Sequence, residues 1–209
     1  KGAHGGMTAF LVDKGTRGLS IPTNYPMIGE YCPYEVVFDD VELDDGQVLG
    51  EIGTAFAPLQ KRLAVRRMEI SARCLGLARR CTDMMIEQAQ NRSTFGHPLS
   101  DRQAVQWWIA DSFQEMEMVR LLTWRLASRI DRGETDVRSE ASMVKIQGTE
   151  MIARVVDRAI QLHGGMGVSK ELPLEYIYRA TRVYRIVEGP SEIHRWIIAR
   201  DLLRNGVRC

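Results

Sequence analysis

Three short segments of this chain combine residue types that can do chemistry. The first is Val187-Glu188-Gly189-Pro190-Ser191-Glu192, where an acid stands between an apolar pair and an expected helix start. A helix N-terminus favours the carboxylate, and partial burial favours the acid form. A base working near neutrality needs that balance. The same position suits a capping carboxylate, and local chemistry leaves both open. The second segment is Arg92-Ser93-Thr94-Phe95-Gly96-His97-Pro98-Leu99, with Gln103 beyond it. An arginine beside backbone donors can hold phosphate, and Phe95 can cover a ring system. A plain helix–helix turn with a solvated arginine is the competing explanation. The third is Gln161-Leu162-His163-Gly164-Gly165-Met166-Gly167. Glycines admit a ligand close to the backbone, and a glutamine can read an adenine or amide edge; an ordinary glycine C-cap competes here. The spacing is not the dinucleotide fingerprint, which follows a strand and reads G-x-G-x-x-G.

Long helices must position these segments. Phe56, Leu59, Leu63, Met68, Ile70, Cys74, Leu77, Cys81, Met84 and Met85 recur mostly three or four apart, which predicts an amphipathic helix running to about residue 91. A second helix is expected from about Asp101 to Asp131, along Val105, Trp108, Ile109, Met116, Val119, Leu122 and Leu126. A third is expected from about Val137 to His163, along Val144, Met151, Ile152, Val155, Ala159 and Leu162, and Gly164 ends it. A short helix near Leu174–Thr181 follows. The last begins at Pro190, a residue suited to the first helical position, and runs towards Leu203. Before the helices, Thr8–Val12, Leu19–Pro22 and Tyr34–Phe38 read as strands, after a glycine-rich turn over residues 1–6. The expected fold is therefore mainly α: an antiparallel four-helix bundle over 47–209, preceded over 1–46 by an incomplete β-domain with few antiparallel strands.

The totals exclude several classes. The 209 residues are 44% hydrophobic and 26% charged, with a formal net charge of +1, so neither nucleic acid nor an anionic membrane is the default partner. No run of about 18 apolar residues suggests a bilayer span, and no apolar h-region suggests a signal peptide. Cys32, Cys74, Cys81 and Cys209 form no C-x-x-C pair and lie far in sequence from the four histidines, which argues against a zinc site and for a reducing compartment. Cys74 and Cys81 are expected to be small buried side chains.

Taken together, the order and spacing of the three segments resemble the acyl-CoA dehydrogenases. So do Thr8-Ala9-Phe10-Leu11-Val12-Asp13, Val37-Phe38-Asp39-Asp40-Val41 and Val48-Leu49-Gly50, which look like the end of that family's middle β-domain. The resemblance covers essentially the whole chain. It implies FAD as cofactor and an acyl-CoA thioester as substrate. Glu188 matches the base that takes the α-proton while the β-hydride goes to flavin N5. Gly189 matches the backbone that binds the thioester carbonyl, and Arg67 an arginine near the acyl-CoA cleft. Arg92 resembles the residue reaching the flavin pyrophosphate of a neighbouring subunit. Thr94, Phe95, Leu99 and Gln103 match positions on the adenosine side, with Gln161 and Gly165 as further cofactor contacts. An electron-transfer flavoprotein as acceptor, a homodimer or homotetramer, and a bacterial cytoplasm or mitochondrial matrix are also implied.

Some relatives carry the base on the first long helix. The matching position here is Arg66, which cannot serve, so Glu188 is the base the resemblance selects. The usual tail, Glu-Gly-Thr-x-Gln, has Pro190 and Glu192 in place of its flavin-bonding Thr and Gln. This form is similar to a minority branch acting on less standard acyl chains. The family's N-terminal helical domain and the first half of its β-domain are not represented, so the chain is expected to be incomplete for activity. Two alternatives stand beside this reading: a flavin oxidase or monooxygenase on the same fold, and a non-catalytic subunit of a flavoprotein assembly.

Overall fold

The computed structural model of the chain describes residues 6–207, in two compact units covering 1–63 and 64–209. The glycine-rich start up to Gly5 and Cys209 lie outside the described residues. In the first unit, β1 (Ala9–Phe10) pairs antiparallel with β4 (Val48–Leu49), and β2 (Leu19–Ser20) with β3 (Val37–Phe38). β1, β2 and β3 fall within the expected strands, β4 lies beyond them, and all four are only two residues long. Phe10, Phe38 and Leu49 are exposed, so this unit lacks the buried sheet face that would extend them.

The second unit is built on long helices: α1 (Phe56–Asn91), α2 (Gln103–Asp131) and α3 (Arg138–His163). Three shorter helices follow, namely α4 (Gly165–Val168), α5 (Leu174–Arg182) and α6 (Ser191–Asn205). α3 is the central member, packing against α2, α5 and α6. Its Met151, Ile152, Val155, Val156 and Ala159 are fully buried and share a core with Cys74, Ala78, Cys81 and Met85 of α1. Burial pushes the Cys74 and Cys81 thiols up to about 12, so neither is reactive at neutral pH. No helix among the described residues is long and apolar enough to cross a membrane.

Two starts differ from the pattern. Pro190 is the N-cap of α6 rather than its first helical residue: its φ of −64 suits a helix, but its ψ of 155 is extended. The segment between α1 and α2 is a β-hairpin rather than a bare turn, with β5 (Ser93–Thr94) paired to β6 (His97–Pro98).

α1 and α3 approach closely at one crossing. A Cβ on Gly148 would sit 2.5 Å from Ser71 Oγ and 2.9 Å from Ser71 Cα, while Ser71 Oγ hydrogen-bonds Thr123 Oγ1 of α2 at 3.2 Å. One atom cannot enter without moving backbone. Gly148→Ala is therefore expected to lower unfolding stability by about 1–3 kcal/mol, although alanine is the better helix former. The shift in urea midpoint measures it, and an unchanged or raised midpoint would show the crossing to be slack.

Candidate active site

The chain between α5 and α6 is forced into an unusual path at Glu188. Its φ is +56 and that of Gly189 is +101, a left-handed pair in which glycine is at ease and glutamate is not. A Cβ on Gly189 would lie 3.0 Å from His194 Nε2, so the position also needs glycine for space.

What holds this turn is a set of buried donors aimed at two consecutive carbonyls. Arg67 Nε donates to the Glu188 carbonyl at 3.2 Å, and His194 Nε2 lies 3.1 Å from the same oxygen. Lys145 Nζ donates to the Gly189 carbonyl at 2.7 Å. Lys145 and His194 have no exposed surface, and Arg67 has 8%. Because a carbonyl only accepts, the His194 proton facing Glu188 must sit on Nε2. That leaves Nδ1 as an acceptor 3.0 Å from Ser142 Oγ, whose single hydroxyl proton Nδ1 and the Arg138 carbonyl, also at 3.0 Å, compete for. Burial first, then Arg67 and Lys145, lowers His194 to about 4, so it is neutral at pH 7. Burial, with Arg67 next, lowers Lys145 to about 8, leaving it mostly charged there.

This arrangement has a geometric consequence. In a trans peptide the N–H points opposite the C=O, and the chain has no cis bond among its described residues. With the Glu188 carbonyl drawn inward by Arg67 and His194, the Gly189 N–H is turned outward. The Glu188 carboxylate lies 3.6 Å from Arg66 Nε, and its side chain is 26% exposed. Among the described residues it caps no helix, which removes the capping explanation for it. The structure thus brings Glu188, Gly189 and Arg67 together. It adds Lys145, His194 and Ser142, which the pattern did not single out. Lys145 shares a helical stripe with Ala141, Gly148 and Ile152, all buried, and a lysine on that stripe was the available signal.

The other two segments form surfaces of their own. At the tip of the β5–β6 hairpin, Phe95 (φ +51) and Gly96 (φ +76) make the two-residue turn that usually takes Asn-Gly. Phe95 is 96% exposed, so nothing in this chain rewards the strained aromatic. Arg102 Nη2 donates to the Thr94 carbonyl at 2.7 Å, and Leu99 N to the Arg92 carbonyl at 2.8 Å, which fixes the hairpin against the start of α2, where Gln103 is exposed. Arg92 is exposed beside it, and Leu99 packs its side chain on the core instead of facing out.

At the end of α3, Gln161 and Gly165 are exposed. The glycines of this loop divide by cause. Gly164 is the C-cap with φ +59, and a Cβ on Gly167 would lie 2.4 Å from the Ile160 carbonyl oxygen, whereas one on Gly165 meets nothing within 4 Å. Inside this chain nothing requires glycine at 165. An exposed strained aromatic, a free arginine and an unobstructed glycine fit a group brought from outside. No cluster of His, Cys, Asp and Glu among the described residues could hold a metal ion.

A family model described as the acyl-CoA dehydrogenase C-terminal domain matches residues 56–203. The (R)-benzylsuccinyl-CoA dehydrogenase of Thauera aromatica is 53% identical over 199 residues, 95% of this chain and 49% of its own length. The solved butyryl-CoA dehydrogenase of Megasphaera elsdenii matches with a TM-score of 0.88 at 28% identity, over 96% of this chain and 53% of that one. The FAD complex of PigA matches with a TM-score of 0.89 at 30% identity, over 95% and 52%. The chain spans about half the length of the relatives it matches.

Proposed function

Because the chain belongs to the acyl-CoA dehydrogenase family, we propose that it carries the catalytic base of an FAD-dependent enzyme that desaturates an acyl-CoA thioester between its α and β carbons. The observation that carries this reading is the Glu188–Gly189 turn, a left-handed acid with its carbonyl tied inward and its carboxylate left free to reach out. In this reading residues 1–46 are the end of a middle β-domain and 47–209 the helical domain.

The chain's own groups have definable tasks. Glu188 takes the α-proton onto its carboxylate. The outward Gly189 N–H donates to the thioester carbonyl, withdrawing charge from the α-carbon as it develops. Arg67 and His194 fix that peptide plane, and Lys145 fixes the next one. FAD, when bound, supplies the two-electron acceptor for the β-hydrogen. Arg92 would hold its pyrophosphate, Thr94, Phe95 and Gln103 would line its adenosine side, and Gln161 and Gly165 would make further contacts, supplied to a neighbouring subunit in a homodimer or homotetramer. Leu99 supports the hairpin from below. An electron-transfer flavoprotein takes the electrons onward, and the compartment is a bacterial cytoplasm or a mitochondrial matrix.

The Gly-Pro-Ser-Glu tail, together with the benzylsuccinyl thioester for which the relative at 53% identity is named, points to a branched or otherwise unusual acyl group. Anaerobic addition of such acyl-CoAs to the intact, flavin-loaded protein is expected to bleach the flavin absorbance in one stoichiometric step. A flavin that no acyl-CoA bleaches would refute the dehydrogenase reading.

A further inference from the structure

We propose that Arg66 is a carboxylate-recognition residue, and that the acyl group oxidised at this site bears a second carboxylate close to its α-carbon. This rests on the dehydrogenase reading of Glu188 given above. Arg66 lies one residue before Arg67 on α1, yet its guanidinium stays at the surface, 31% exposed. Nη1 meets Glu69 at 3.1 Å on the exposed helix face, an i,i+3 pair. Nε faces the Glu188 carboxylate at 3.6 Å, too far for a hydrogen bond but well within Coulombic reach.

Two physical arguments lead from this placement to a substrate class. The first is reach. A base must come within about 3 Å of the proton it removes, so a substituent on the α-carbon lies within a bond or two of the point Glu188 touches. Arg66, 3.6 Å from that carboxylate, borders the space such a substituent would enter.

The second is charge balance. With a neutral acyl group over the site, water leaves and Glu188 is the anion facing Arg66. As Glu188 takes the proton it becomes neutral, and the arginine, which cannot lose its own charge, then faces an uncharged acid in a dry cleft. The exposed pair with Glu69 at Nη1 remains, but the Nε edge is left facing no anion, which opposes the very step the base performs. A substrate carboxylate removes the conflict: it takes the guanidinium edge in a planar, charge-assisted pair, leaves Glu188 free to act, and keeps Arg66 paired after the proton has moved. Arginine at this place hinders a neutral substrate and assists an anionic one.

The test uses the intact, flavin-loaded protein and two thioesters differing in one group, a 2-(carboxymethyl)acyl-CoA and its carboxamide. The wild type is expected to favour the carboxylate by on the order of 100-fold in kcat/KM. Arg66→Met should bring the two within roughly fivefold, chiefly through KM for the carboxylate, while Arg66→Lys, which keeps the charge, should restore part of the preference. Calorimetric binding of the two corresponding enoyl-CoA products should show the same discrimination without turnover. Equal use of both thioesters by the wild type overturns the inference, as does an Arg66→Met variant that loses both alike. Bleaching by neutral acyl-CoAs alone sinks this inference and leaves the dehydrogenase reading standing. A flavin bleached by no thioester removes both.

Discussion

Glu188→Gln is expected to lower turnover of the acyl-CoA substrate by about 10⁴-fold, the upper end of the range for a lost general base. Glutamine keeps the shape and loses only the ability to take a proton. Among the described residues the carboxylate's one ion pair is the 3.6 Å approach of Arg66, and the turn is held through backbone carbonyls that the substitution leaves in place. Folding stability should therefore change by no more than about 0.5 kcal/mol. Rapid-mixing absorbance under anaerobic conditions, with bound flavin quantified after denaturation, separates the two effects. A variant that retains flavin and still bleaches it at more than a hundredth of the wild-type rate would place the base elsewhere.

Lys145→Met should produce the second largest loss, by a different route. Methionine fills the buried space and removes the cost of a buried charge, against which stands about 1–3 kcal/mol for the acceptor it leaves without a donor. The Gly189 carbonyl, however, loses its 2.7 Å donor, and the turn carrying Glu188 and the Gly189 N–H loosens. Displacement by about 1 Å costs on the order of 100-fold in rate. A pH profile distinguishes positioning from mere stability. The wild-type rate should fall as pH rises through about 8, where Lys145 loses its proton, and that limb should be missing in Lys145→Met. Groups acting on Lys145 from α1, α3 and α6 are Arg67, Cys74, Glu150, Glu192 and His194.

The stability trends have the opposite sign to that activity limb. For Lys145, lowered from 10.5 to about 8, the unfolded chain holds the proton that the folded chain has released between those values, so stability rises with pH across that window. For His194, lowered from 6.5 to about 4, stability falls as pH drops from about 6.5 towards 4. A Lys145→Met protein with wild-type rate and an intact alkaline limb would reduce this lysine to core filling.

The sequence made the helices legible because their apolar residues recur with the helical period over 26 to 36 residues. Glu188 stood out as a candidate through the order of the three segments and their resemblance to a family, since local chemistry alone left a capping carboxylate open. The clamp behind the base was harder to see. Arg67 reaches the Glu188 carbonyl across 121 residues and Lys145 reaches the Gly189 carbonyl across 44, and periodicity has no access to separations of that kind. His194 sits on a helix whose polar and apolar residues are nearly evenly mixed, so its burial leaves little pattern. The hairpin was hidden for another reason. A tight turn announces itself by Asn-Gly, and here the first place is taken by Phe95, an exposed residue that local energetics disfavours there.

α3 joins two of these regions in a way that fixes distance. Ser142 and Lys145, near its start, hold the turn of the base, and Gln161 ends it beside the glycine loop. Sixteen residues at 1.5 Å each separate Lys145 from Gln161 by about 24 Å. The helix is thus a ruler whose two marks face different ligands. Side chains along it can be exchanged one at a time, but its length comes in indivisible steps: one inserted residue turns everything beyond it by about 100° and advances it by 1.5 Å. An insertion between clamp and loop would disconnect the two ends in register even where every contact at each end survives.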